Sequence, residues 1–228
     1  MDIILVFFVE LFFLFLLSRL IQKRLSHFLF VITRSIKWTI FLLSAIFLPG
    51  TILHELAHYV FATILFVPVG KLELVPQLNG STVKLGSVTI GKTDPFRRLL
   101  IGIAPFLVGT LVILITLYLF EMNMLWKNAW AVAGMFYVLF EVGNSMFSSK
   151  KDLEGASFFL ALIIILTILF YSLGIRISLK DLNYFLNDQT IHLFYQGIIY
   201  LIFPIAIDLL LLIVFGLSLK ILNKPYYD

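Results

Sequence analysis

The sequence predicts an all-α, multi-pass membrane protein with a small β-hairpin inserted after one of its spans. Three observations carry that class. Of 228 residues, 61% are hydrophobic and only 13% are charged, about half the charged share of an ordinary soluble domain. The apolar residues fall into several runs of about 20, the length that crosses a hydrocarbon core of about 30 Å. Between two of these runs, one stretch changes to alternating apolar and polar residues around an Asn-Gly pair, the signal of a tight hairpin turn.

About six spans are expected on this basis. The first covers about residues 3–21. It begins directly after Asp2 and is followed by Leu-Leu-Ser-Arg-Leu, with neither a basic leader nor a small-residue cleavage pattern, so it reads as a retained span. A basic link follows, with Lys23, Arg24, Arg34 and Lys37. The second span runs from about 38 to 67, and Pro49-Gly50 is expected to break or kink it. Residues 68–95 hold the hairpin: Lys71 to Val75 alternates, Asn79-Gly80 turns, and Val83 to Ile90 alternates in part. A hairpin at the membrane surface offers an edge to an extended peptide. The third span, about 97–120, contains Gly102, Pro105 and Gly109, small or helix-loosening residues that permit close packing. The fourth covers about 128–147 and the fifth about 153–173. Residues 178–195 mix Leu179, Leu182, Phe185 and Leu186 with Asp181, Asn183, Asn187 and Asp188, the pattern of an interfacial helix. The sixth span covers about 197–219. Together these make a single transmembrane domain, 1–228, with little chain left for a soluble module.

The net charge of +4 does not point to nucleic acid, because the basic residues cluster at the ends of apolar runs, where they anchor helices among headgroups. Lys and Arg divide almost evenly between the two sides, so the positive-inside rule gives no orientation. The chain has no cysteine, which excludes disulfides and thiolate ligands; a bound metal must take imidazole and carboxylate.

Such a set stands in the second span, in Thr51-Ile-Leu-His-Glu-Leu-Ala-His-Tyr-Val60. On a helix, His54 and His58 share a face, so both imidazoles can reach one ion. Glu55 lies about 100° round from His54 and about 60° from His58, close to a water on that ion without being a ligand. This H-E-x-x-H spacing is that of zinc hydrolases, with Glu55 as general base. The competing structural account is a pair of buried histidines satisfied by neighbouring helices. Burying three ionisable groups among apolar residues is costly unless something neutralises them, and a zinc ion (Zn2+) would do so.

A catalytic zinc takes three protein ligands and keeps one position open. Span parity returns the segment Asn144 to Asp152 to the face where the second span ends, which makes Asp152 the expected third ligand. The alternatives are Glu10, Glu141 and Asp208, each an ionisable group inside an apolar span, with Glu154 behind them. For those three, a hydrogen-bonded carboxyl facing the bundle interior is the other role. His27, in the basic link, and His192, near the interfacial stretch, are weak candidates.

Taken in order, His54-Glu-Leu-Ala-His58, the hairpin, the Gly/Pro-containing span, and Asn144 with Asp152 eight residues on resemble the site-2 protease family of intramembrane zinc metalloproteases. The resemblance covers roughly residues 45–160. That family's second motif is Asn-x-x-Pro-x-x-x-Leu-Asp-Gly; here Phe147, Lys151 and Leu153 stand in the Pro, Leu and Gly positions. The resemblance implies a zinc endopeptidase of the cell membrane that cuts a membrane-anchored protein substrate in or near its transmembrane segment. It implies that Asn144 helps hold the substrate backbone and that the hairpin handles substrate. Many members carry a PDZ or CBS module, for which this chain has no room. Two other functions compete: a non-proteolytic zinc-binding partner or chaperone of other spans, for which Glu55 has no use, and an ion-binding transporter bundle built on Glu10, Glu141 and Asp208. No internal repeat supports the latter.

Overall fold

Where the apolar runs fall, the chain is helical, but the helices do not stop where the runs do. The structure is a computed structural model that describes residues 3–73, 77–79, 82–84, 86–147, 164–165, 168–169, 171–172 and 188–222. Asp152, Glu154, most of the fifth expected span and most of the expected interfacial helix lie outside the described residues.

Helix α1 (Ile3–Thr33) continues without a break through the expected basic link as far as Thr33. At about 1.5 Å per residue its 31 residues extend for about 46 Å, well beyond one bilayer core. Lys23 and Arg24 are exposed while Ile21, Leu25 and Leu29 are buried, so the charged residues share a helix with a buried apolar stripe instead of ending it. Arg34, with φ 51°, turns the chain into α2 (Ile36–Ile46). There Thr39 Oγ1 donates to the Ser35 carbonyl at 2.9 Å and lies 3.0 Å from the Thr33 hydroxyl, tying the corner.

Helix α3 (Leu48–Ile64) follows after the single residue Phe47, bent by 66° from α2. Pro49 is the cause: it has no N–H and its ring excludes the carbonyl four residues back, so α2 cannot continue, yet Pro is well suited to a first helical turn. The alternating stretch forms strands in two antiparallel pairs. β1 (Val69–Glu73) pairs with β4 (Ser87–Ile90), and β2 (Gln77–Asn79) pairs with β3 (Thr82–Lys84). Helix α4 (Pro95–Met122) starts on Asp94, whose carboxylate accepts the Arg97 N–H at 3.0 Å. That backbone bond holds the Asp94 carboxyl below the usual aspartate range, so the cap is kept above the ordinary pKa and is lost as pH falls through the lowered one. A single 3-10 turn (Leu125–Lys127) leads to α5 (Ala129–Ser145), begun by Asn128, which caps the N–H groups of Trp130 and Ala131. The last helix, α6 (Asp188–Leu222), has 35 residues and begins before the expected sixth span, with no break at 197.

Among the described residues three helices are long and apolar enough to cross a membrane, or four if the bent pair α2–α3 is one span. The core is a bundle. Leu11 and Leu14 of α1, Ile113 and Leu117 of α4, Met135 and Leu139 of α5 and Leu201 of α6 form one cluster. A second joins Ile21, Leu25 and Leu29 to Phe47 at the α2–α3 break. Phe47 is 2% exposed and stacks on Phe140, ring centroids 5.6 Å apart. Replacing it with alanine empties the hinge, and Phe47→Ala is expected to lower unfolding free energy in detergent micelles by about 3–5 kcal/mol.

Candidate metal centre

Helix α3 meets three neighbours along its length. Gly50 and His54, one turn apart, meet α5; His58 and Ala62 meet the start of α4; Thr51 and Glu55 lie under the start of β4. The last contact requires a glycine. A Cβ added at Gly86, just before β4, would stand 2.7 Å from Thr51 Cγ2 and 3.1 Å from Glu55 Cγ. The backbone entering β4 therefore passes directly over the side chain of the motif glutamate.

The two imidazoles are held from behind. His54 Nδ1 is 2.6 Å from the Ser145 carbonyl oxygen, and His58 Nδ1 is 2.7 Å from that of Ile101. A carbonyl can only accept, so both Nδ1 atoms carry the proton and both rings present Nε2 to each other. The two Nε2 atoms are 3.2 Å apart, in rings inclined at 81°. Two neutral rings would then oppose lone pair to lone pair. A cation between them removes that repulsion: either one proton, making an imidazolium–imidazole pair, or a metal ion. Two imidazole nitrogens on one tetrahedral zinc, with bonds of about 2.0–2.1 Å, stand about 3.3 Å apart. The observed separation fits such an ion, and an Nδ1–H donated to a carbonyl is the usual outer partner of a zinc histidine.

Neither carbonyl is spoken for by its own helix. Ser145 is the last residue of α5, where the terminal carbonyls have no helical donor. Ile101 lies inside α4, but the residue four places on is Pro105, which has no N–H to give it. Pro105 thus frees the acceptor that His58 takes. The sequence signalled this proline as a loosened backbone near the site; its effect is one specific unpaired carbonyl.

The remaining expected residues divide. Glu55 is half-buried on the face toward β4. Among the described residues no group of three His, Cys, Asp or Glu side chains is arranged to hold a metal, so Glu10, Glu141 and Asp208 do not complete the histidine pair. Glu141 and Asp208 instead serve as hydrogen-bonded interior carboxyls. Glu141 Oε2 accepts the Gly50 N–H at 3.0 Å, and Asp208 Oδ1 accepts Asn144 Nδ2 at 2.8 Å. Asn144 is 2% exposed, its Nδ2 also donating to the Phe140 carbonyl, while its own carbonyl takes Gln22 Nε2 at 2.9 Å. Its side-chain amide links α5 to α6 and its backbone carbonyl links α5 to α1. Gln22 and the two carbonyls are the parts of this network that sequence reasoning missed. His27 and His192 are exposed on α1 and α6, away from the pair.

No protein-family model, curated protein or solved structure matches this chain.

The proline makes a testable difference between the two rings. In Pro105→Ala the new N–H shares the Ile101 carbonyl, so the His58 Nδ1–H resonance should move upfield and exchange faster with solvent. The His54 resonance, held by α5, should stay where it is. Spectra of 15N-histidine-labelled protein check this.

Proposed function

We propose that this chain is an intramembrane zinc endopeptidase that hydrolyses a peptide bond in or near a transmembrane segment of a membrane-anchored protein. The observation that carries the reading is the pair of Nε2 lone pairs converging at 3.2 Å, with both Nδ1–H groups already committed to carbonyls. His54 and His58 would be two ligands. Asp152 is the proposed third. The described chain reaches Phe147, two residues past the carbonyl that holds His54, and five further residues span at most about 17 Å. The finer topology we propose is six spans with the strands 69–90 at the membrane surface.

When bound, zinc would supply Lewis-acid polarisation of the scissile carbonyl and acidify a water. Glu55 accepts the proton of the attacking water and returns it to the leaving amine. The carbonyls of Ser145 and Ile101 fix the imidazole tautomers and orient the rings. A substrate helix must open before its amides can be attacked. Strand β4, entered over Glu55, gives the freed backbone an edge to pair with at the right place. Glu141 and Asp208 each accept a hydrogen bond within the bundle, from Gly50 and from Asn144.

The test uses purified protein in lipid vesicles with a membrane-anchored reporter. Glu55→Gln should keep its zinc and lose cleavage by roughly a hundred- to ten-thousand-fold. His54→Ala, His58→Ala and Asp152→Ala should lose zinc. Cleavage that survives in Glu55→Gln, or wild type that neither contains zinc nor binds it, overturns the reading. Unchanged zinc in Asp152→Ala moves the third ligand elsewhere.

A further inference from the structure

The motif helix begins without a capping side chain of its own. Its N-cap is Phe47, which offers no acceptor, and Pro49 has no N–H, so Gly50 carries a buried orphan donor in the first turn. Glu141 reaches across from α5 to accept it at 3.0 Å. Four residues later on each helix α3 donates to α5 again, with side chain and backbone exchanged: the His54 ring donates to the backbone carbonyl of Ser145. Positions 50 and 54 of α3 are thus matched, in the same chain direction, to 141 and 145 of α5. Between them the helices touch. A Cβ on Gly50 would stand 2.6 Å from Ser145 Oγ and 2.7 Å from the Glu141 carbonyl oxygen, so only glycine permits this approach.

We infer that Glu141 is a positioning residue for the metal centre, one half of a two-point register that fixes His54 Nε2 opposite His58 Nε2. Two hydrogen bonds one helical turn apart fix the slide and the rotation of the first turns of α3 against α5; the His54 bond alone would leave that end free to pivot about it. His58, one turn further along α3, is held by the Ile101 carbonyl of α4, so its Nδ1–H bond is not part of that register. Loss of the Glu141 contact should therefore loosen the Nδ1–H bond of His54 and leave that of His58. The metal-binding consequence rests on the zinc reading above; the register itself rests on the hydrogen bonds alone.

The experiment compares Glu141→Leu with Glu141→Gln in full-length protein in micelles. Leucine fills the space but accepts nothing, whereas the glutamine carbonyl still accepts the Gly50 N–H. In metal-free 15N-histidine-labelled protein, Glu141→Leu should shift the His54 Nδ1–H resonance and speed its exchange, with the exchange of the His58 Nδ1–H unchanged, and Glu141→Gln should restore the wild-type His54 signal. Titration with zinc alone against a competing chelator should show affinity reduced about 10- to 100-fold in Glu141→Leu and recovered in Glu141→Gln. If the leucine variant does not fold, Glu141→Asp, which withdraws the acceptor by one methylene, is read the same way. An unmoved His54 signal, or exchange of the His58 Nδ1–H speeded as much as that of His54, overturns the assignment. Wild type that binds no zinc overturns the proposed function, while the metal-free spectra still decide the register.

Discussion

An imidazole N–H meeting a carbonyl that its own helix cannot satisfy is the interaction on which this centre depends. Inside a lipid-embedded bundle an unpaired carbonyl is costly, and water is not at hand to absorb it. The fold leaves two such acceptors beside α3, one by ending α5 at Ser145 and one by placing Pro105 four residues after Ile101. His54 and His58 satisfy both at 2.6 and 2.7 Å. The same bonds that satisfy the backbone therefore commit each Nδ1–H and turn the two Nε2 atoms toward each other, 3.2 Å apart. Backbone accounting and ligand presentation are one arrangement.

That arrangement needs α3 to be a separate, correctly placed helix, and the break before it supplies this. Pro49 prevents α2 from continuing, and Phe47 packs into the cluster of α1 residues behind it. The 66° bend sets α3 against the end of α5 and the start of α4 at once. A straight helix of the same sequence would lack the first-turn donor at Gly50, because that N–H would bond within the helix, and Glu141 would have nothing to hold. The break is thus coupled to the site through one buried peptide N–H.

Much of this was legible in particular residues. The i, i+4 spacing of His54 and His58 placed them on one face, Pro49-Gly50 marked the break, and alternation from Lys71 onward marked strands. Helix ends were not legible, since an apolar run records where lipid or core is met and not where the backbone stops being helical. α1 runs on past Lys23 and Arg24 because their stems can lie along the bundle while their charges point out. The partners of the histidines were not legible either, because a backbone carbonyl has no letter of its own. Only the absence created by Pro105 leaves a trace, and reading it requires knowing that His58 lies opposite. The interior role of Asn144, with Gln22 and Asp208, depends on contacts between α5 and two helices distant in the chain. Spacing within one motif does not encode these.

Charge gives the last step. Two imidazoles with both Nδ1 atoms protonated bring no negative charge to a divalent ion, and α3 contributes a single carboxylate, Glu55. Of the interior acids, Glu141 gives one oxygen to Gly50 and Asp208 gives one to Asn144 of α5. A dication held by the pair and faced by Glu55 would therefore keep an excess positive charge in a medium that penalises it, until one more carboxylate arrives. Among the described residues none is in place to do this. That requirement, and not spacing alone, is what favours Asp152 in the proposal: it is the first acidic residue after Asn144 and Ser145, close along the chain to the carbonyl that orients His54.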